Sequence, residues 1–161
     1  MTNLRIKILV SFFLLFLNNN IEAKENKILF KINNEIITTL DIFNEIKYLK
    51  VINKNIMENI DNNEIYEVAK NSLIREKIKE IELLQNVKKI EIDEDFLNKF
   101  ILNYFKNKNI NSKLKFENYF NNIGLEPENI KKKITIEIMW NQLIYQKFYK
   151  NVKIDKNKLI K

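Results

Sequence analysis

One glycine, Gly124, and one proline, Pro127, stand in 161 residues. Sandwiches, barrels and phosphate-cradling loops depend on many tight turns, and those turns draw on residues that accept positive φ or fix φ in advance. A chain so poor in both is built from long uninterrupted elements. With 45% apolar and 30% charged residues it also has the means to pack a core. The expected fold class is mainly α, and the length suits one domain with one core.

Cysteine and histidine are both absent. That removes disulfides, thiolate nucleophiles, the commonest general base and the usual zinc ligands. No catalytic residue, metal site or cofactor is assigned. Asn, Ile and Lys number 27, 28 and 26, about half the chain, a skew expected of AT-rich coding. The net charge of +7 is then explained by lysine as the default surface residue, and a nucleic-acid partner is not expected.

Arg5 and Lys7 precede the apolar run ILVSFFLLFL at 8–17, followed by Asn18, Asn19, Asn20 and then Ile21, Glu22, Ala23. This is the three-part layout of a secretory signal, with cleavage expected after Ala23. The alternative is an N-terminal anchor or buried helix, but a run of ten residues falls short of the roughly 20 that span a bilayer. Residues 1–23 are read as a signal peptide and 24–161 as the mature domain, with no stable membrane span.

Two β-prone runs, 28–32 and 35–37, bracket Asn33-Asn34, and asparagine tolerates the left-handed conformations of a tight hairpin. Thr38 and Asp41 form a capping box for a helix over 39–52, with Ile42, Phe43, Ile46 and Leu49 at helical spacing. The Asn-rich stretch 53–63 reads as a loop. Asp61 and Glu64 then start a long helix whose stripe runs Ile65, Ala69, Leu73, Lys77, Ile81, Leu84, widened by Ile74 and Ile78. Asp93, Glu94 and Asp95 start a third helix carrying one row of Phe96, Phe100, Tyr104 and another of Leu97, Ile101, Phe105. After a Lys/Asn loop at 106–111, Ser112 caps a fourth helix with Phe116, Phe120 and Ile123, ended by Gly124. Glu126 and Pro127 open the last helix, whose apolar side runs through Ile130, Ile134, Ile138, Trp140, Leu143, Ile144 and Phe148. A short strand at 152–154 is expected to return to the hairpin.

This order of signals resembles the SurA N-terminal domain family of periplasmic chaperones. The resemblance lies in KINNEIITTLDI at 31–42, AKNSLIREKIKEIELLQ at 69–85, IDEDFL at 92–97, SKLKFENYFNNIGLEPENIKKKITIEI at 112–138 and FYKNVKID at 148–155. Ser112, Phe116, Phe120, Gly124 and Leu125 fall at the family's spacing. PpiD, PrsA and trigger factor carry related helical domains, and PrsA is disfavoured because it is a lipoprotein. Asn34 stands where the family's hairpin commonly has glycine. The resemblance covers the non-catalytic domain and not the parvulin domains, so no isomerase activity is expected.

What the resemblance implies is an ATP-independent module that holds unfolded outer-membrane proteins in the periplasm. An unfolded chain exposes apolar side chains, and an open apolar surface buries them without chemistry or cofactor. Tyr104, Tyr119, Trp140 and Tyr145 are the candidate client contacts, because each joins a flat apolar face to a polar atom that tolerates water. The other aromatic residues are expected in the core. Lys131, Lys132 and Lys133 read as a solvated helix face, with attraction of acidic client segments or lipid headgroups as the sharper alternative. Assignments of the acidic residues 93–95 and Glu126 as paired catalytic carboxylates give way to helix capping. A different class of function is an assembly subunit docking on a separate isomerase or membrane complex. Assembly with itself or with another protein stays open.

Overall fold

A computed structural model describes residues 26–149. The signal peptide at 1–23 with its cleavage at Ala23, and the strand at 152–154, lie outside the described residues. The architecture is mainly helical with one small antiparallel hairpin. Strands β1 (Ile28–Ile32) and β2 (Glu35–Thr38) pair in the register Ile32 with Glu35, Lys31 with Ile36 and Phe30 with Ile37, and an irregularity at Leu29 shifts Ile28 onto Thr38. Asn33 takes φ +53 at the turn. Among non-glycine residues asparagine bears that conformation best.

Helix α1 (Thr39–Ile52) starts at a capping box: Asp41 N–H donates to Thr38 Oγ1, and Thr38 N–H donates to Asp41 Oδ2 at 2.8 Å. The stretch expected to be a loop contains one helical turn, α2 (Lys54–Met57), because Met57 is drawn into the core and folds the chain around it. Helix α3 (Asn62–Asn86) begins where Asp61 Oδ1 accepts from the Asn63 and Glu64 amides. Asp93 caps α4 (Glu94–Tyr104) through the Phe96 amide. A 3₁₀ turn over Lys106–Lys108, closed by Asn109 at φ +61, leads to Ser112 and α5 (Lys113–Asn122).

The end of α5 is a Schellman motif. Leu125 N–H donates to Phe120 O and Gly124 N–H to Asn121 O, with Gly124 at φ +69. Leu125 and Phe120 then share one core. Helix α6 (Pro127–Phe148) follows with Pro127 in its first turn. Among the described residues no helix is long and apolar enough to cross a membrane.

Two apolar clusters hold these elements. The first gathers Leu97, Ile101 and Phe105 of α4 and its C-cap, Phe116 and Phe120 of α5, and Ile130 and Ile134 of α6. Its centre is aromatic: Phe105, Phe116 and Phe120 have centroids 4.9–5.9 Å apart. The second gathers Ile37 of β2, Ile42 and Leu49 of α1, Met57, and Ile65, Ala69 and Leu73 of α3. Helix α1 serves both, since Val51 belongs to the first and Leu49 to the second.

The burial pattern departs from the expected stripes at several places. On α3 the buried residue near the C-terminus is Leu83, while Leu84 and Ile78 are exposed. The packed face rotates there because α6 replaces the hairpin as the neighbour. On α6 Ile136 and Thr135 are buried beside Ile134. Lys77, the polar member of the α3 stripe, is explained by its partners: its Nζ reaches Glu35 at 2.9 Å and Glu80 at 3.1 Å. Burial opposes its charge, but those carboxylates prevail and raise its pKa.

Candidate functional site

Where α1, α3 and α6 meet lie three charges, one buried and two largely so. Glu45 comes from α1, Glu76 from α3 and Lys133 from α6. Lys133 Nζ stands 2.6 Å from Glu45 Oε2 and also pairs with Glu76. Glu45 is only 1% exposed, and its carboxylate is held by that ion pair with Lys133. Two carboxylates therefore share one ammonium.

The electrostatics follow from that ratio. Burial raises the pKa of Glu76, with Lys133 pulling against it and Glu45 adding to it. For Lys133 burial opposes the charge, yet Glu76 and Glu45 outweigh it and the pKa rises. Tyr48, whose ring lies 5.4 Å from Lys133 Nζ, is pushed well above the usual phenol range. Burial is the largest cause there, followed by Tyr104 and then by the carboxylates of Glu45, Glu76 and Glu137. Tyr48 is a neutral hydroxyl facing an anionic floor.

Two clefts open on either side of this cluster, and Glu45, Tyr48, Glu76 and Lys133 line both. The first, about 510 Å³, has apolar walls of Leu49, Ile52, Phe100, Ile134 and Ile138, with Tyr104 among its lining residues. The second, about 570 Å³, opens towards the hairpin and is bordered by the exposed Ile36, Leu40 and Phe43. Beside the first cleft runs the α4 row whose two phenylalanines are expected in the core and whose Tyr104 is a candidate client contact. Leu97, Ile101 and Phe105 take the core, and Phe96, Phe100 and Tyr104 are left exposed at 52%, 38% and 51%. The Phe100 and Tyr104 rings stack at 6.1 Å.

The four tyrosine and tryptophan candidates do not converge. Tyr104 lines the first cleft. Tyr119 is half-buried and stands edge-on to Phe120 at 5.3 Å, packed against the first core. Trp140 is half-buried on α6 and lines neither of these clefts. Tyr145 is 60% exposed and pairs with Tyr149 at 4.7 Å, further along α6.

The basic run 131–133 is not a uniform solvated face. Lys131 pairs with Glu128 along its own helix, Lys132 reaches Glu80 on α3, and Lys133 points inward to the ion cluster. Sequence reasoning passed over Glu45, Tyr48 and Glu76 entirely. A signal was present: Glu45 falls three residues after Ile42 and four before Leu49, Glu76 three after Leu73, and Lys133 three after Ile130. Each occupies a stripe position.

Comparison with protein-family models, with curated proteins and with solved structures finds no match.

Proposed function

We propose that this chain is a non-enzymatic, ATP-independent chaperone module of the SurA N-terminal type, exported to the periplasm, that holds unfolded outer-membrane proteins. The single observation that carries the reading is the exposed row of Phe96, Phe100 and Tyr104, of which Phe100 and Tyr104 line an open cleft with apolar walls. Large apolar side chains left together on a surface mark an interaction site more often than an accident of packing. A cleft walled by isoleucines and a phenylalanine offers burial of about 25 cal/mol per Å² to any apolar segment that enters it. Such recognition is broad, because it reads apolar area and not sequence.

Export rests on the signal-like layout of residues 1–23, and cleavage after Ala23 is checked by N-terminal sequencing of the protein recovered from cells. The holding function is tested by light scattering. The mature protein is titrated against an aggregating unfolded client, and suppression at near-equal molar ratios is the expected result. Inertness across that range overturns the reading and favours an assembly subunit. The exposed Ile28, Ile36, Leu40 and Phe43 around the hairpin would then be its docking face.

A further inference from the structure

We infer that the first cleft is a receptor for a cationic side chain, lysine or arginine, carried within an apolar client segment, with Glu76 and Glu45 as its anionic floor. The inference rests on the chaperone reading above and adds a preference to it.

The argument begins with charge. Glu45, Glu76 and Lys133 sum to one negative charge when all are ionised, in a chain whose net charge is +7. The remaining carboxylate of the cleft, Glu137, is already paired with Lys79 at 2.5 Å. The floor is therefore locally one cation short. Glu45 borders the cleft at 1% exposure and shares the cation it pairs with, Lys133 at 2.6 Å, with Glu76. A buried carboxylate that shares its cation with a second one is only partly compensated, and a further cation at the cluster relieves that cost.

Access is through Glu76, whose side chain keeps 17% exposure. An ammonium or guanidinium entering there takes over Glu76, and Lys133, now shared by two carboxylates, is left to align fully with Glu45. The walls suit the rest of such a side chain. Its alkyl stem lies against Ile52, Ile134 and Ile138, and the rings of Tyr48, Phe100 and Tyr104 offer aromatic faces to a cation. Flanking apolar residues of the segment then cover Phe100 at the cleft and the exposed Phe96 one turn before it. A neutral residue of equal size fills the same walls but leaves the floor unbalanced.

The test uses three synthetic peptides, identical except for one central residue: lysine, its uncharged analogue norleucine, or glutamate. Each is titrated by fluorescence anisotropy against the mature protein and against Glu76→Gln, whose fold is checked by circular dichroism. The expected result is tenfold tighter binding of the lysine peptide than of the norleucine peptide, with glutamate weakest. That preference falls to within twofold in Glu76→Gln. Equal or tighter binding of the norleucine peptide to the unaltered protein overturns the inference while leaving the chaperone reading intact. Failure of all three peptides to bind, together with no suppression of client aggregation, overturns both.

Discussion

Lys133 on α6 places its ammonium 2.6 Å from the buried carboxylate of Glu45 on α1. Removing the ammonium strands two carboxylates at the junction of three helices. Lys133→Met is expected to cost about 3–5 kcal/mol, because an uncompensated buried charge is far worse than a buried pair. The double variant Glu45→Leu with Lys133→Met should recover more than half of that loss, since Glu76 still reaches solvent. Urea denaturation of the unaltered protein, each single variant and the double measures both quantities, and additive losses would sink the idea that the two residues act as a pair.

The same cluster sets a pH dependence. The Glu76 carboxyl has its pKa raised in the fold, so the folded chain holds that proton more readily than the unfolded chain. Its contribution to stability is full below the ordinary carboxylate range and is lost as pH rises through the folded value. Glu76→Gln, which mimics the protonated form, should therefore gain on the unaltered protein as pH rises from acid to neutral. Thermal melts of both proteins at a series of pH values check the sign. Lys133, also raised, adds stability that is lost only in the alkaline range, as pH rises through its folded value.

Tyr104→Ala separates client binding from folding. The side chain is half exposed, with a stacked Phe100 and an edge contact with Phe105 at 4.9 Å as its ring partners. Loss of stability should stay near 1 kcal/mol, while suppression of client aggregation weakens several-fold. Tyr119→Ala should show the reverse, costing stability through its contact with Phe120 and leaving client affinity unchanged. Paired stability and light-scattering measurements decide between these patterns.

Gly124→Ala tests the joint between α5 and α6. The residue holds φ +69, which an L side chain adopts at a cost of roughly 1–2 kcal/mol. The added Cβ would stand 3.0 Å from Lys47 Nζ, the movable end of a flexible side chain, so the backbone and not the collision sets the penalty. Asn33→Gly, at φ +53, should raise stability by up to about 1 kcal/mol. Opposite shifts in melting temperature for the two variants are the expected outcome.

Local chemistry made most of the fold legible beforehand. Thr38 with Asp41, Asp61, Ser112, Gly124 and Pro127 each mark an element boundary by a hydrogen bond or a dihedral that acts within a few residues. The hairpin turn at Asn33-Asn34 is equally local. Of the ion cluster only the stripe positions of its members were legible, because periodicity within one helix says nothing of which charges meet across helices. Glu45, Glu76 and Lys133 sit on buried faces only because three helices distant in sequence bring them together. The choice between the two rows of α4 is also a tertiary outcome. Phe105, at the helix end, meets Phe116 and Phe120, and that meeting commits Leu97 and Ile101 to the core and turns Phe96 outward.

The contact between α3 and α6 is laced with charge pairs: Glu76 with Lys133, Glu80 with Lys132, Lys79 with Glu137, and Glu82 with Lys147. Two long helices faced only with isoleucine and leucine can rest against one another at more than one offset, since each groove accepts many ridges. Signed contacts tolerate no such slippage, because one step along the seam sets the wrong residues opposite each other. The pairs act as a vernier, trading binding strength for a single permitted alignment, and so fix the width of the mouth that the same two helices flank.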